Sequence, residues 1–307
     1  SEACARTAAM VGVFNSIDHT VPKNAGSMRR IDVRLRENCV AGIPVHPTSC
    51  SAATTNIADR VANATQAAFA DIADGAGMAE CGSSTAPAAG VISGVDPRDG
   101  HPFVNQIFLG RTCGAGAPTA DAWQTICHVG NAGMCFLDSI ELDELRHPLY
   151  VHARGFLPDT EGAGRHCGAR VGFAQYGPHE CDIEVVYNSD GNINGPRGVR
   201  GGRDGTRSRQ HVRDRDGNAV EIPAFGRVTL HEGELMCSFS CGGGGYGTPA
   251  ERDPDAVARD VAMGFVSCER AQSVYGVVLN GRGAVDAAAT GACRAAMTTG
   301  SMSSTGQ

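Results

Sequence analysis

Residues 242–247, with the sequence GGGGYG, restrict the fold of this chain more than any other segment. Glycine lacks a Cβ atom, so such a run allows another backbone to approach closely. Successive glycine N–H groups can alternatively bind a phosphate. However, the run is not followed by GKS or GKT and lacks the GxGxxG spacing of nucleotide-binding loops. We therefore predict a tight turn against which another backbone or subunit packs.

The core around such a turn must contain many small side chains. Of the 307 residues, 42% are hydrophobic, yet only 5% are aromatic and 41 are glycine. The apolar share excludes a fully disordered chain. No stretch approaches the roughly 18 consecutive apolar residues that a membrane-spanning helix needs. The sequence therefore predicts a folded protein that does not cross a membrane.

The charge of the chain argues against nucleic acid as a partner. The formal net charge is −7, whereas domains that bind nucleic acid usually carry a basic excess. The basic stretch at 197–215 is interleaved with aspartate and glycine and has no aromatic side chain for base stacking. We expect a solvated loop there, with an anion contact as the alternative.

The thirteen cysteines indicate neither a disulfide framework nor a zinc site. The chain is large, begins without a recognisable signal peptide, and contains no CxxC or HExxH pattern. The nearest pair, Cys237 and Cys241, lies on a predicted strand that enters the glycine run. We expect reduced cysteines that pack as small apolar residues in a cytoplasmic protein. We predict no metal site in this chain.

Hydrophobic periodicity predicts one helix before a β-rich middle. Residues 51–74 place apolar side chains at helical spacing. Residues 81–100 are rich in Gly, Ser and Pro and are predicted as a loop. Short apolar runs broken by Gly and Pro then predict strands at 102–109, 149–155, 182–187 and 226–230.

The C-terminal part is predicted to be helical. Asp253-Pro254 and Ser267 are helix-start signals, and Gly264 and Gly276 are stop signals. A short strand is predicted at 277–279, and a third helix near Val285. The order of elements predicts an α+β fold. We divide it into a helix-containing portion, 1–100, and a β-rich portion with C-terminal helices, 101–307.

Asp138 and Glu141 belong to an acidic cluster that also contains Asp143 and Glu144. Two nearby carboxyl groups can act as acid and base if their pKa values are driven apart. An acidic surface turn is the alternative. The chain has no GxSxG nucleophile motif. Composition and spacing alone therefore predict an α+β domain of unknown activity.

An ordered series of motifs runs along the chain. Residues 242–254 read GGGGYGTPAERDP, and Val257, Asp260, Gly264, Ser267 and Tyr275 follow. Upstream lie, in this order, Gly114-x-Gly116-Ala117, Asp121, Asn131, Asp138, Glu141 and His147-Pro148-Leu149. This pattern resembles the hydantoinase B/oxoprolinase family. The resemblance covers nearly the whole chain, but only the C-terminal half of the family.

The resemblance implies a subunit of an ATP-dependent enzyme. In this family, an A-type partner subunit binds ATP and phosphorylates a carbonyl oxygen of a cyclic amide or an enolisable ketone. The B-type subunit completes the site. ATP and a divalent metal are implied for the complex, bound by partner chains. The implied partners are a hydantoinase A-type ATP-binding subunit and a chain that carries the N-terminal half of the B subunit, where relatives hold their metal.

The resemblance also implies candidate site residues. Asp138 and Glu141 are the predicted catalytic acids. Loops predicted to line the substrate site or a subunit interface contain Gly114, Gly116, Asp121, Asn131, Gly243, Gly244, Gly245 and Tyr246. The implied function is hydrolysis of a cyclic amide of the hydantoin, oxoproline or lactam type. A ketone carboxylase is one alternative. A non-catalytic structural or assembly subunit is the other, which is favoured by Ala115 and Ala122 in place of family glycines and by the missing metal-binding half.

Overall fold

The computed structural model describes residues 2–48, 56–72, 74–82, 86–110, 113–125 and 137–302. Its helices are α1 (Glu2–Phe14), α2 (Ala25–Met28), α3 (Ala58–Ile72), α4 (Ile140–Arg146), α5 (Pro254–Ala262), α6 (Cys268–Tyr275) and α7 (Ala287–Met302). Short 3-10 helices lie at Pro87–Ala89 and Pro249–Glu251. Among the described residues, no helix has both the length and the apolar character needed to cross a membrane.

The described strands form two antiparallel sheets. The strands are β1 (Val91–Val95), β2 (Pro102–Gln106), β3 (Leu149–Phe156), β4 (Gly172–Pro178), β5 (Ile183–Asn188), β6 (Arg209–Arg213), β7 (Ala219–Glu221), β8 (Phe225–Leu230) and β9 (Leu235–Phe239). One sheet has the order β2-β1-β5-β8, and the other has the order β3-β4-β9-β6-β7. Helices and antiparallel sheets are thus segregated along the chain, which confirms the predicted α+β fold.

The two sheets share one hydrophobic core. Ile92 and Val185 come from the first sheet, while Tyr176 and Met236 come from the second, and all four are buried. Burial alternates along β5, as expected for a strand with one face toward the core. The sheets therefore form a rigid base for the loops that leave their ends.

The predicted loop at 81–100 is wrong for residues 91–95. β1 occupies these positions and pairs with β2 on one side and β5 on the other. A Cβ atom at Gly94 would lie 2.9 Å from the carbonyl oxygen of Asp182, so glycine is needed at this close contact. The β1–β2 hairpin also crosses the predicted division at residue 100, and the two portions stay a prediction.

The helix signals of the C-terminal part are confirmed. The side chain of Asp253 accepts a hydrogen bond at the start of α5, and that of Ser267 does so at the start of α6. Gly264 and Gly276 follow these helices with positive φ angles of 71° and 65°. The predicted strand at 277–279 is wrong, because only an isolated bridge joins Leu279 to Val285.

Helices α1 and α3 pack closely against each other. A Cβ atom at Gly12 of α1 would lie 2.6 Å from the carbonyl oxygen of Ala62 in α3. The described part of α3 begins at Ala58 and ends at Ile72, within the predicted helix at 51–74. Helix α1 was not predicted. In the α1–α3 pair, the buried residues of α3 pack against loops that connect to the sheets.

Candidate functional site

The glycine run lies at the centre of a buried layer of loops. It follows β9 as an extended segment, and all residues of 242–247 are buried. A Cβ atom added at Gly243 would lie 1.7 Å from the carbonyl oxygen of Gly114. One added at Gly244 would lie 2.1 Å from the carbonyl oxygen of Arg197. The predicted packing of another backbone is therefore confirmed. The predicted tight turn is wrong, since only Gly247 in this run has a positive φ angle.

The N–H groups of this run are already used. Each donates to a backbone carbonyl oxygen elsewhere in the chain, at 2.8–3.0 Å. The acceptors, in order from Gly242 to Gly247, belong to Thr206, Ala169, Glu80, Arg203, His166 and Val199. A phosphate cradle needs free N–H groups that point at the ligand. The run therefore does not fit a nucleotide phosphate.

Gly114 and Gly116 belong to the same buried layer. The carbonyl oxygen of Gly114 accepts a hydrogen bond from Ala169, and the N–H of Gly116 donates to the Gly244 carbonyl oxygen at 2.9 Å. Tyr246 is fully buried, and its hydroxyl group donates to the Ala76 carbonyl oxygen at 3.3 Å. These predicted loop residues are thus brought together. Their contacts hold the loops in place.

Asp121 belongs to a network of charges around the buried Arg252, although its own side chain is 43% exposed. It accepts a hydrogen bond from Arg252 at 2.8 Å, and Arg252 also donates to Asp260 at 2.9 Å. Asp260 pairs with Arg170 at 3.1 Å. Burial alone would raise the pKa of the Asp121 carboxyl group, but Arg252 lowers it below its ordinary value. Asp121 is therefore an ionised partner of Arg252.

The predicted catalytic acids lie around the start of α4. Asp138 accepts a hydrogen bond from the Phe108 N–H at 2.6 Å, and Glu141 accepts one from the Ser139 hydroxyl at 2.6 Å. Ser139 is the N-cap of α4, so Glu141 lies on a short helix rather than in a turn, and it is exposed at the surface. The catalytic roles of Asp138 and Glu141 stay a prediction. Asn131 lies outside the described residues.

Asp143 is an acid that the sequence did not single out. It is 5% exposed, and its Oδ2 atom has no hydrogen-bond partner among the residues that the structure describes. Burial, and then the negative charge of Asp138, raise the pKa of this carboxyl group to about 6. The signal in the sequence was its position four residues after the capping Ser139, which places the two residues on the same side of the helix.

Replacing this acid should change how stability depends on pH. Between the ordinary carboxyl pKa of 3.8 and the raised value of about 6, folded Asp143 binds a proton that the unfolded chain has lost. The contribution of protonated Asp143 to the free energy of unfolding is therefore lost as the pH rises from 3.8 to about 6. We expect Asp143→Asn to stabilise the protein progressively more from pH 4 to pH 7, by roughly 3 kcal/mol at most. Urea unfolding at each pH measures this gain, and exposed Asp216→Asn is the control. A gain in stability that does not change with pH would contradict this prediction.

A cleft of about 400 Å³ opens between α3 and residues 189–196. Its polar lining includes Arg60, Glu80, Ser189, Asp190, Asn192 and Asn194. Cys81 and Cys241, which directly precedes the glycine run, also line it. Burial raises the pKa of the Cys81 thiol to about 12, so it is not a nucleophilic thiolate. The cleft is thus suited to binding a ligand rather than to attacking one through cysteine.

Arg60 and Asp190 face each other at the floor of this cleft. The distance from Arg60 Nε to Asp190 Oδ2 is 3.6 Å. Burial alone would lower the pKa of the Arg60 guanidinium group, but the charges of Asp59 and Asp190 more than offset it and raise that pKa. Arg60 therefore stays charged. Across the described ranges, no group of three His, Cys, Asp or Glu side chains is arranged to hold a metal ion.

Comparison with known proteins decides the family. The family model of hydantoinase B/oxoprolinase matches residues 1–249. This chain belongs to the hydantoinase B/oxoprolinase family. The predicted resemblance is confirmed, and the family membership agrees with the glycine loops and capped helices described above.

Two curated relatives of this hydantoinase B/oxoprolinase chain cover most of its length. Caprolactamase subunit beta of Pseudomonas jessenii is 31% identical over 288 residues, which are 90% of this chain and 48% of the relative. Acetophenone carboxylase delta subunit of Aromatoleum aromaticum is 26% identical and aligns with 86% of this chain and 43% of the relative. The chain thus spans about half the length of these relatives.

A solved structure of a family member has the same fold. The crystal structure of ATP-dependent caprolactamase from Pseudomonas jessenii superposes with a TM-score of 0.74 at 25% sequence identity. The match covers 94% of this chain and 50% of that one. Both relatives named as subunits come from enzymes of more than one chain type.

Sequence reasoning missed the two charged residues at the floor of the cleft in this hydantoinase B/oxoprolinase chain. Arg60 lies on the predicted helix at 51–74, directly after the buried Asp59. Adjacent opposite charges on a helix with an apolar stripe were the available signal. Asp190 carried no signal, because only the folded chain brings it to Arg60.

Proposed function

We propose that this chain is a subunit of an ATP-dependent amidohydrolase that opens a cyclic amide of the hydantoin, oxoproline or lactam type, in the cytoplasm. The observation that carries the proposal is the 31% identity to caprolactamase subunit beta over 90% of this chain. The superposition with the solved caprolactamase supports it. Because the chain spans about half of these relatives, the activity is proposed for a complex.

The proposed partners are a hydantoinase A-type ATP-binding subunit and a chain that carries the remaining half of the B-type subunit. ATP bound by the A-type partner supplies the phosphoryl group that makes the amide oxygen a better leaving group. The glycine run of the present chain does not fit a phosphate, since its N–H groups are all bonded to carbonyl oxygens. ATP and the divalent metal are therefore assigned to the partner chains.

The present chain contributes positioning. Its buried loop layer, held by Gly243 and Gly244, fixes one wall beside the cleft. A rigid wall holds a substrate in a reactive orientation at little entropic cost. We propose that Asp138 and Glu141 serve as the polar acids of the complex, since the Phe108 N–H orients the Asp138 carboxylate and the Ser139 hydroxyl orients that of Glu141.

Reconstitution tests the proposed function. The chain is co-expressed with the A-type subunit and the chain carrying the remaining half, and ATP hydrolysis is measured with a panel of cyclic amides. We expect ATP hydrolysis that depends on the cyclic amide, ring-opened product in equal amount, and loss of both when this chain is omitted. Unchanged turnover without this chain would contradict a catalytic role and favour an assembly subunit.

A ketone carboxylase is the second candidate. The acetophenone carboxylase delta subunit, 26% identical across 86% of this chain, favours it. The same reconstituted complex separates the two functions, because carboxylation consumes bicarbonate and amide hydrolysis does not. ATP hydrolysis that requires both a ketone and bicarbonate would replace the amidohydrolase proposal.

A further inference from the structure

The cleft contains buried polar atoms that lack partners. Within the described part of the chain, Arg60 Nε, Asp190 Oδ1 and Ser189 Oγ form no hydrogen bond, and all three residues line the cleft. Buried donors and acceptors without partners destabilise a fold and are rare. A ligand that supplies these partners would therefore be bound favourably.

Hydrogen bonds hold the Arg60 side chain of this cleft in place, whereas the Asp190 side chain can rotate. Arg60 Nη1 donates to the Cys81 carbonyl oxygen at 3.0 Å, and Nη2 donates to the Gly82 carbonyl oxygen at 3.1 Å. Nη2 also donates to the Asp59 carboxylate. These bonds fix the planar guanidinium group and the direction of its Nε–H.

Asp190 lies in the segment 189–196, outside regular secondary structure. Its side chain is 34% exposed. The χ2 torsion of aspartate is broad and roughly twofold, so either oxygen can turn toward the cleft at low cost. Arg60 is thus a fixed donor, and Asp190 is an adjustable acceptor.

The charges of the lining favour a neutral ligand. An anion would meet the carboxylate of Asp190, since that of Glu80 is already paired with Arg197 at 2.8 Å, and a cation would meet Arg60. The separation of 3.6 Å between Arg60 Nε and Asp190 Oδ2 exceeds hydrogen-bond distance. A neutral group that accepts one hydrogen bond and donates another beside it satisfies both residues at once.

We infer that the cleft binds the cis amide edge of a small cyclic amide. Arg60 donates to the carbonyl oxygen, and Asp190 accepts from the ring N–H. A small ring holds these two groups on the same edge, whereas a linear secondary amide is trans and places them on opposite edges. A volume of about 400 Å³ is enough for such a ring. The inference takes its substrate class from the proposed function and adds the residues that recognise it.

Ligand titrations of the 307-residue chain test this directly. Binding of δ-valerolactam is compared by calorimetry or NMR with that of δ-valerolactone and of linear N-methylacetamide. The lactone keeps the carbonyl group but lacks the N–H, and the linear amide has both groups on opposite edges. We expect the lactam to bind about tenfold or more tightly than either analogue. Equal affinities for the three probes, or no lactam binding, would overturn the inference.

Asp190→Asn is the matched variant. Its side chain can present an N–H as well as an oxygen, so the preference for lactam over lactone should fall to near unity. This ratio does not depend on how much of the protein is folded. Asp216→Asn, at an exposed site away from the cleft, should keep the wild-type preference. A preference that survives in Asp190→Asn would overturn the role of Asp190.

The inference and the proposed function can fail separately. If the reconstituted complex hydrolyses ATP with a lactam but Asp190→Asn changes neither KM nor the lactam preference, the cleft assignment is wrong and the function stands. If the chain prefers the lactam through Asp190 but the complex shows no lactam-dependent ATP hydrolysis, the cleft assignment stands and the function is wrong.

Discussion

Gly243→Ala is expected to prevent the chain from reaching its native fold. The added Cβ atom would lie 1.7 Å from the carbonyl oxygen of Gly114 and 3.1 Å from Ala115 Cα, both backbone atoms of a buried loop. Backbone cannot rotate away as a side chain can, so several loops would have to separate. We expect a loss of more than about 5 kcal/mol, which is comparable to the whole stability of many domains. Soluble yield and urea unfolding followed by circular dichroism measure it.

Gly291→Ala is the matched control for this substitution. Gly291 lies within α7, and a Cβ atom there would meet nothing within 4 Å. Alanine favours a helix over glycine, so this variant should keep or gain stability, by up to about 1 kcal/mol. If the two variants unfold at similar urea concentrations, the packing described for the glycine run is wrong.

Arg252→Met should produce the second large effect. Arg252 is 3% exposed and donates to the carboxylates of Asp121 and Asp260. Its removal leaves Asp121 without its buried counter-charge and removes one of the two partners of Asp260. Asp121 is 43% exposed and Asp260 keeps Arg170, so the loss should lie below that of a fully buried ion pair, at about 1.5–3 kcal/mol. Equilibrium urea unfolding at pH 7 measures the loss.

Two further variants identify the cause of that loss. Arg259→Met removes an exposed arginine whose nearest carboxylate, on Asp253, lies at 3.9 Å, so it should cost at most about 1 kcal/mol. Asp121→Asn added to Arg252→Met removes the uncompensated charge and should recover part of the stability. No recovery in the double variant would show that Arg252 acts through packing alone.

Local signals in the sequence predicted the structural features that depend only on neighbouring residues. Asp253 and Ser267 cap the C-terminal helices by accepting hydrogen bonds that span only two or three residues, and Pro254 occupies the first position of α5. Helix α1 was missed because alanine supplies much of its sequence, which leaves no clear stripe of large apolar residues. Strand β1 was missed because its five residues depend on pairing with strands on both sides.

The sequence predicted less of the candidate site than of the fold. The motif positions singled out Gly114, Gly116 and the glycine run, which contact one another in the fold, while their place in a substrate site or a subunit interface stays a prediction. Arg60 and Asp190 are 130 positions apart in the sequence and are brought together only by the tertiary fold. Asp121 illustrates a further limit, because its spacing identifies it but only the fold reveals Arg252 as its partner.

The bonding of the glycine run has a consequence for synthesis of the chain. Its N–H groups join segments near residues 80, 166–169 and 199–206, all of which precede it in the sequence. These segments therefore lack their hydrogen-bond partners until the ribosome has translated residue 247. Contacts of such long sequence separation form late and slowly. A nascent chain that stalls before this point would expose several unfinished loops at once, which makes the synthesis of residues 242–247 a step on which native folding depends.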